Sequence, residues 1–275
     1  MCTTEGCIQG TAAVLHDGEG MDHGMERKAL IAAALVLAAA CASASGTEED
    51  GPIDASGIEV IVVRSGHFDV RVTGGEDGEL SIDSRPAAEL FSDNESEGRI
   101  AQRREGSRLS VWIENDGLFQ PTMTGQVRIR APFGTDLVVQ TSSGMVLVDG
   151  VREGTCTVRT VSGRIRVSRV RGSLSVDSVS GSIDIEAAEG SVKAHSVSGS
   201  ISGRMLRLTG DSSFSSVSGN IQVVLDSPLE TMAFDLKSVS GRITVGSIRA
   251  ERGLRMGFGA PVVRGHTVSG ALSFK

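Results

Sequence analysis

Asp177 and His195 are the pair most able to move protons. They sit at equivalent places in two successive copies of a repeat. Stacked repeats would bring a carboxylate beside an imidazole, the elements of acid–base chemistry. Cleavage of a polysaccharide needs a second acidic group on the same face. The equivalent places in the other copies hold Arg159, Ser215, Lys237 and His266, a mixed set without an acidic pair. A column of serines (Ser143, Ser162, Ser180, Ser198, Ser218, Ser240, Ser269) offers hydroxyls, but no base recurs beside it and G-x-S-x-G is absent there. Cys2, Cys7, His16 and His23 fit no usual zinc spacing, and the acidic loop 92–98 lacks the spacing of a calcium-binding EF-hand. The expectation is no catalytic residue, no metal and no cofactor.

Cys41 points to a different chemistry. Met25-Glu26-Arg27-Lys28 opens a short basic segment, and an uninterrupted apolar run follows from Ala29 to Ala40. A run of this length suits a signal-peptide core and is too short to span a bilayer as a helix. Leu37-Ala38-Ala39-Ala40-Cys41 resembles the bacterial lipobox, which implies lipidation of Cys41 and a membrane anchor. Cleavage after Ala42-Ser43-Ala44, an A-x-A site, is the competing route. Residues 1–24 carry four acidic residues and no Lys or Arg, the wrong charge for an export signal, so they read as a non-native upstream extension. With Cys41 lipidated or removed, Cys156 is the one remaining thiol, inward-facing and inert by its column.

The elements that place these side chains come from the repeat. Val-Ser-Gly occurs six times, starting at Val161, Val179, Val197, Val217, Val239 and Val268. The first three copies are evenly spaced, and the intervals then lengthen, most of all before Val268. Ser142-Ser143-Gly144 is a degenerate seventh copy. Four residues after the valine stand Ile165, Ile183, Ile201, Ile221, Ile243 and Leu272; three before it stand Val158, Val176, Ala194, Phe214, Leu236 and Gly265. This period-2 alternation predicts short strands with one buried face. Each copy reads as two strands and two turns. The serine–glycine pairs Ser143-Gly144, Ser162-Gly163, Ser180-Gly181, Ser198-Gly199, Ser218-Gly219, Ser240-Gly241 and Ser269-Gly270 make one turn. Their glycines are expected to supply positive φ, their serines to cap turn amides and to hydrogen-bond between rungs. A unit of this length cannot bury its own apolar face, whereas a stack can. The predicted fold is all-β: a β-solenoid of roughly seven rungs over residues 136–275, preceded by an irregular β capping region over 57–135. The capping region holds strand-like runs at 58–63, 67–72, 80–84, 109–113 and 126–130.

Charge supports the division. Residues 45–125 hold 7 basic and 17 acidic residues, and residues 126–275 hold 18 and 12. The basic residues are dispersed with no interleaved aromatics, which argues against nucleic acid as a partner. Leu272 and Phe274 would lie in an unpaired last strand, so end-to-end self-association is expected there.

In three places the chain resembles the bacterial putative-adhesin family of unknown function. The strand pair and glycine turn at 58–75, the strand, proline and glycine at 127–134, and the iterated serine–glycine turns from 141 to 270 carry the resemblance. It covers 57–275 and implies architecture more than activity. The expected organisation is a signal peptide over 25–41, a polar linker over 42–56, the capping region and the solenoid. The expected role is a non-enzymatic cell-envelope module that binds a protein or glycan, adhesin-like or as a scaffold. The alternatives are a carbohydrate-active β-helix enzyme and a self-assembling structural element.

Overall fold

The computed structural model describes residues 55–75, 80–86, 99–114 and 125–275. Cys41, the upstream and signal segments, most of the linker and the acidic loop 92–98 lie outside the described residues. No helix among the described residues is long and apolar enough to cross a membrane.

The first rung is β1 (Val60–Ser65) and β2 (Asp69–Gly75). β3 (Ser81–Pro86), β4 (Arg99–Glu105), β5 (Arg108–Glu114) and β6 (Gly125–Pro132) follow. The repeat region then alternates long and short strands: β7 (Asp136–Thr141), β8 (Val146–Asp149), β9 (Arg152–Thr160), β10 (Ile165–Ser168), β11 (Arg171–Ser178) and β12 (Ile183–Glu186). It continues through β13 (Glu189–Ser196), β14 (Ile201–Leu208), β15 (Ser212–Ser218) and β16 (Ile221–Leu225). The last strands are β17 (Ala233–Ser240), β18 (Ile243–Val245), β19 (Ile248–Ala250), β20 (Gly253–Met256), β21 (Val262–Ser269) and β22 (Leu272–Phe274).

The protein is all-β, and these strands form one large mixed sheet of 22 strands. Two ladders make it up. The first runs β4, β5, β1, β7, β9, β11, β13, β15, β21, β17, β20. The second runs β3, β6, β2, β8, β10, β12, β14, β16, β22, β18, β19. A short pairing of β13 with β14 joins them. Inside each ladder every pairing is parallel, and an antiparallel strand closes each end. The closing strands are short and carry charge, as Arg249, Arg252 and Arg255 do in and beside β19 and β20, which blunts an open edge.

The strand order departs from the chain order at both ends. β1–β2 lies between β5–β6 and β7–β8, and β21–β22 lies between β15–β16 and β17–β18. Two expectations are therefore corrected. Residues 60–75 are a regular rung in register with β7 and β8, and the five strand-like runs of the first region are all strands. Leu272 and Phe274 are fully buried with a strand on each side, so the edge that motivated end-to-end association is absent there.

The predicted inward columns form the core. Ile165, Ile183, Ile201, Ile221, Leu272 and Ile243 stack in register, all but buried. Two glycines interrupt the columns, and each makes room for a neighbour. A Cβ on Gly203 would strike Leu206, and one on Gly265 would strike Leu236. At the corner after the short strands, Gly150, Arg169, Ala187 and Met205 take left-handed φ of 74°, 53°, 51° and 53°. For the three with side chains this costs roughly 1–2 kcal/mol each. The strain is offset by the residue that follows, because Val151, Val170, Ala188 and Leu206 all enter the core.

Candidate functional site

At the serine–glycine corner the glycines of successive rungs form a continuous stack. Only Gly270 among them has positive φ, so the expected reason for glycine is corrected. Their requirement is closeness. A Cβ on Gly144, Gly163, Gly181, Gly199, Gly219, Gly270 or Gly241 would lie within 3.0 Å of the backbone carbonyl in the adjacent rung.

The turn serines do not cap the turn amides, but bonding between repeats is present at Ser162, whose Oγ donates to Ser142 O at 3.2 Å. Ser162, Ser180, Ser198, Ser218, Ser240 and Ser269 are exposed. Their backbone amides bind the next rung, as Ser180 N–H does to Val161 O at 2.8 Å and Ser198 N–H to Val179 O at 2.8 Å. Ser143 meets His67 Nδ1 through its hydroxyl at 2.7 Å.

A column the sequence reading missed lies beneath the turns: Thr141, Thr160, Ser178, Ser196, Ser216, Thr267 and Ser238, one residue before each repeat valine or, in the degenerate copy, before Ser142; three of its hydroxyls cap turn amides, Thr141, Ser216 and Thr267 donate to carbonyls, and Ser238 Oγ has no partner among the described residues. All seven are buried. The amides of Gly163, Gly181 and Gly199 donate to Thr160 Oγ1, Ser178 Oγ and Ser196 Oγ at 3.0, 2.8 and 2.8 Å. Period-2 alternation from Val158, Val176 and Ala194 points inward at these hydroxyls, and that was the available signal.

On the outward face of the first ladder the row reads Arg159, Asp177, His195, Ser215, His266, Lys237. His266 stands between Ser215 and Lys237 because its rung is intercalated. Asp177 and His195 are register neighbours, yet they serve separate contacts. Arg159 Nε donates to Asp177 Oδ2 at 3.4 Å, a half-exposed pair worth under ~1 kcal/mol. His195 Nδ1 meets Ser215 Oγ at 2.7 Å. Asp184 and Glu186 share the outward face of the second ladder, a pairing that sequence inspection passed over, with Arg166 and Arg204 as register neighbours. No group of three or more possible metal ligands occurs among the described residues.

A cavity of about 320 Å³ opens at the other corner, between the backbone of Gly74 and Gly150 and the side chains of Arg130, Phe133, Arg152 and Arg169. The Arg152 guanidinium lies 5.2 Å from the Phe133 ring centroid. Arg169 grips Asp149 with two nitrogens, Nε at 2.8 Å. This hydrogen bonding holds the Asp149 carboxyl below the usual carboxylate value.

Two titrating groups give direct tests. Burial pushes the Cys156 thiol up to about 12, and the side chain is wholly enclosed between Leu137 and Leu174. Iodoacetamide at mildly alkaline pH is expected to leave Cys156 of the native protein unmodified and to alkylate it fully in urea, by mass spectrometry.

His266 is held below the usual imidazole value, first by burial and then by the Lys237 ammonium. Ser215 faces it from β15. Asp235 on β17 is tied to Arg255, and Arg264 on its own strand to Asp211. The unfolded imidazole titrates near 6.5, so the unfolded chain takes the proton first as pH falls. Stability from this group is full above about pH 6.5 and is lost on acidification below it. Lys237→Gln is expected to shrink that acid loss, read as urea midpoints across the range; an unchanged pH profile would contradict it.

Residues 122–255 match the family described as Toastrack DUF4097. The structure is similar to that of a protein described as a "putative cell adhesion protein" from Clostridium sporogenes ATCC 15579, at 14% identity and a TM-score of 0.39, over 83% of this chain and 98% of that chain. No curated protein matches the sequence. The family match takes in β6 to β20 and leaves outside it the strands β1 to β5 and the pair β21–β22, so the similarity to Toastrack DUF4097 spans just under half of this chain.

Proposed function

We propose that the protein is a non-enzymatic cell-envelope module: a β-solenoid rod, tethered through lipid on Cys41, that binds a protein or glycan partner in an adhesin-like or scaffolding role. The observation that carries this reading is the parallel pairing of successive strands in both ladders, with register shifts at Arg171/Gly172 and Gly203/Leu206. It supports a coil of nine rungs, each one strand from either ladder, whose outward faces repeat the same geometry at about 4.8 Å intervals. A long regular face suits recognition of an extended partner. The cavity beside Phe133, walled by three guanidinium groups, is the concave feature that adds polar and aromatic contacts to such a face.

The enzymatic alternative rests on the neighbouring Asp177 and His195. Their separate engagement by Arg159 and Ser215 argues against it, since neither orients the other. Turnover of a surface polysaccharide that is abolished by Asp177→Asn would replace the present reading.

The deciding experiment is protease treatment of intact cells, wild type against Cys41→Ser. Wild-type protein that is membrane-bound and shaved from outside, with the variant released to the medium, supports the tethered binding role. A cytosolic protein in both strains eliminates it.

A further inference from the structure

Five surface arginines are each tied to a carboxylate from an adjacent strand or the residue flanking it: Arg159 to Asp177, Arg171 to Glu189, Arg207 to Asp226, Arg255 to Asp235 and Arg264 to Asp211. One outward row of the second ladder is different. Across β6, β2, β8 and β10 it reads Arg128, Arg71, Leu147, Arg166, in register from strand to strand. Arg71 and Arg166 are exposed, and Arg128 and Leu147 are half-buried. Asp83 stands in register with Arg128, and Asp184 follows Arg166 in the row. Among the described residues, no carboxylate comes within ion-pair distance of Arg71, Arg128 or Arg166. Arg128 Nε donates to Gln126 Oε1 at 2.8 Å.

Arg71 and Arg128 are like charges directly opposite one another, an arrangement that weakens a sheet. An anion held between them removes that repulsion. The chain as a whole is acidic, with a net charge of −7, so the basic row is a local feature.

Spacing selects the anion. Arg71 and Arg166 are two strand spacings apart, about 9.6 Å, with Leu147 between them. An extended acidic peptide carries same-side carboxylates about 6.8 Å apart, too short a step. A ribbon-like polyuronate turns alternate sugars to opposite sides. Its same-side carboxylates therefore recur at every second ring, a step close to two strand spacings. The ring between them can then lay its C–H face on an apolar side chain.

We propose that this row binds an acidic polysaccharide with one carboxylate on each sugar. Arg128 and Arg71 together hold one carboxylate, Arg166 holds the next on the same side, and Leu147 supports the ring between them. The guanidinium fork suits this ligand because it donates two parallel N–H bonds to a carboxylate. Arg130, two residues from Arg128 on the same face, leads from the row to the cavity beside Phe133. Arg130 and Arg152 already have partners within the chain, which leaves Arg71, Arg128 and Arg166 as the binding residues. This partner class rests on the binding role proposed above, yet binding in solution is measured apart from location in the cell.

The purified full chain is titrated by calorimetry at low salt with polymannuronate, with polyglutamate and with a neutral cello-oligosaccharide. Polymannuronate is expected to bind, and the other two at least ~10-fold more weakly. Arg71→Gln and Arg166→Gln are each expected to weaken polymannuronate binding by about tenfold, the worth of one lost hydrogen bond to a charged group. Arg249→Gln, on β19 at the far end of the sheet, is expected to leave it unchanged. All three positions are exposed, so melting temperatures are expected to stay at the wild-type value. Absence of polymannuronate binding, equal affinity for polyglutamate, or an equal loss from Arg249→Gln overturns the proposal. Such a failure leaves the membrane tether standing, and a cytosolic location would leave the measured affinity standing.

Discussion

Phe274→Ala is expected to cost about 3–5 kcal/mol, a large fraction of the stability of a single domain. The ring is fully buried and bridges the ladders, edge-to-face on Phe214 at 5.9 Å and on Phe234 at 5.7 Å. Gly265 lies under it and leaves the space that its ring and Leu236 fill. Truncation opens a cavity between three rungs. It also loosens the rung through which 233–256 pairs with the stack. At about 2–4 °C per kcal/mol for a domain of this size, the melting temperature should fall by roughly 6–20 °C. Phe258→Ala, at a fully exposed side chain, should leave it unchanged. Equal effects from the two substitutions would show that the buried aromatic cluster does not hold the C-terminal end together.

Gly181→Ala is expected to be as damaging, for a steric reason. The new methyl would overlap the Gly163 carbonyl of the rung beside it and press on Ser178 Oγ at 3.1 Å. Neither can retreat, since the carbonyl is fixed in the stack and Ser178 Oγ already accepts from the Gly181 amide. Overpacking against backbone should cost at least about 3 kcal/mol. Ser180→Ala, one residue earlier, removes an exposed hydroxyl and should stay within about 0.5 kcal/mol. Urea unfolding of the pair separates the explanations. A mild glycine variant with a severe serine variant would restore hydrogen bonding by the turn serines as the reason for the motif.

Much of the core was legible in the sequence, because inward residues of a parallel stack recur at fixed offsets. Ile165, Ile183, Ile201 and Ile221 were placed correctly by spacing alone. The buried hydroxyls at Thr160, Ser178 and Ser196 were not, because polarity in a strand is normally read as outward. Closeness between rungs was invisible too. Nothing local to Ser-Gly distinguishes a glycine needed for φ from one needed for contact with a carbonyl one rung away.

The interleaved ends were the hardest to foresee, since parallel pairing leaves no trace in adjacent residues. One clue existed in the long gap between Val239 and Val268, which holds the closing strands β19 and β20. On the faces, the Asp177–His195 adjacency was foreseen, whereas the two different partners they take depended on side-chain direction.

The placement of the closing strands has a consequence for how such a sheet can grow. Among the described residues, the first and last strand pairs of the parallel ladders in chain order, β1–β2 and β21–β22, each lie between two other pairs, and both outer ends are closed by reversed strands. A further repeat at either outer end of the sheet would therefore meet a reversed strand and find no parallel partner. The middle is different, because β9 to β14 follow one another in parallel pairing, shifted in register at Arg171/Gly172, with evenly spaced repeats. A tandem duplication there adds one tier of about 4.8 Å and disturbs neither seal. Lengthening by internal copying, with constant ends and a variable waist, is the route this topology leaves open.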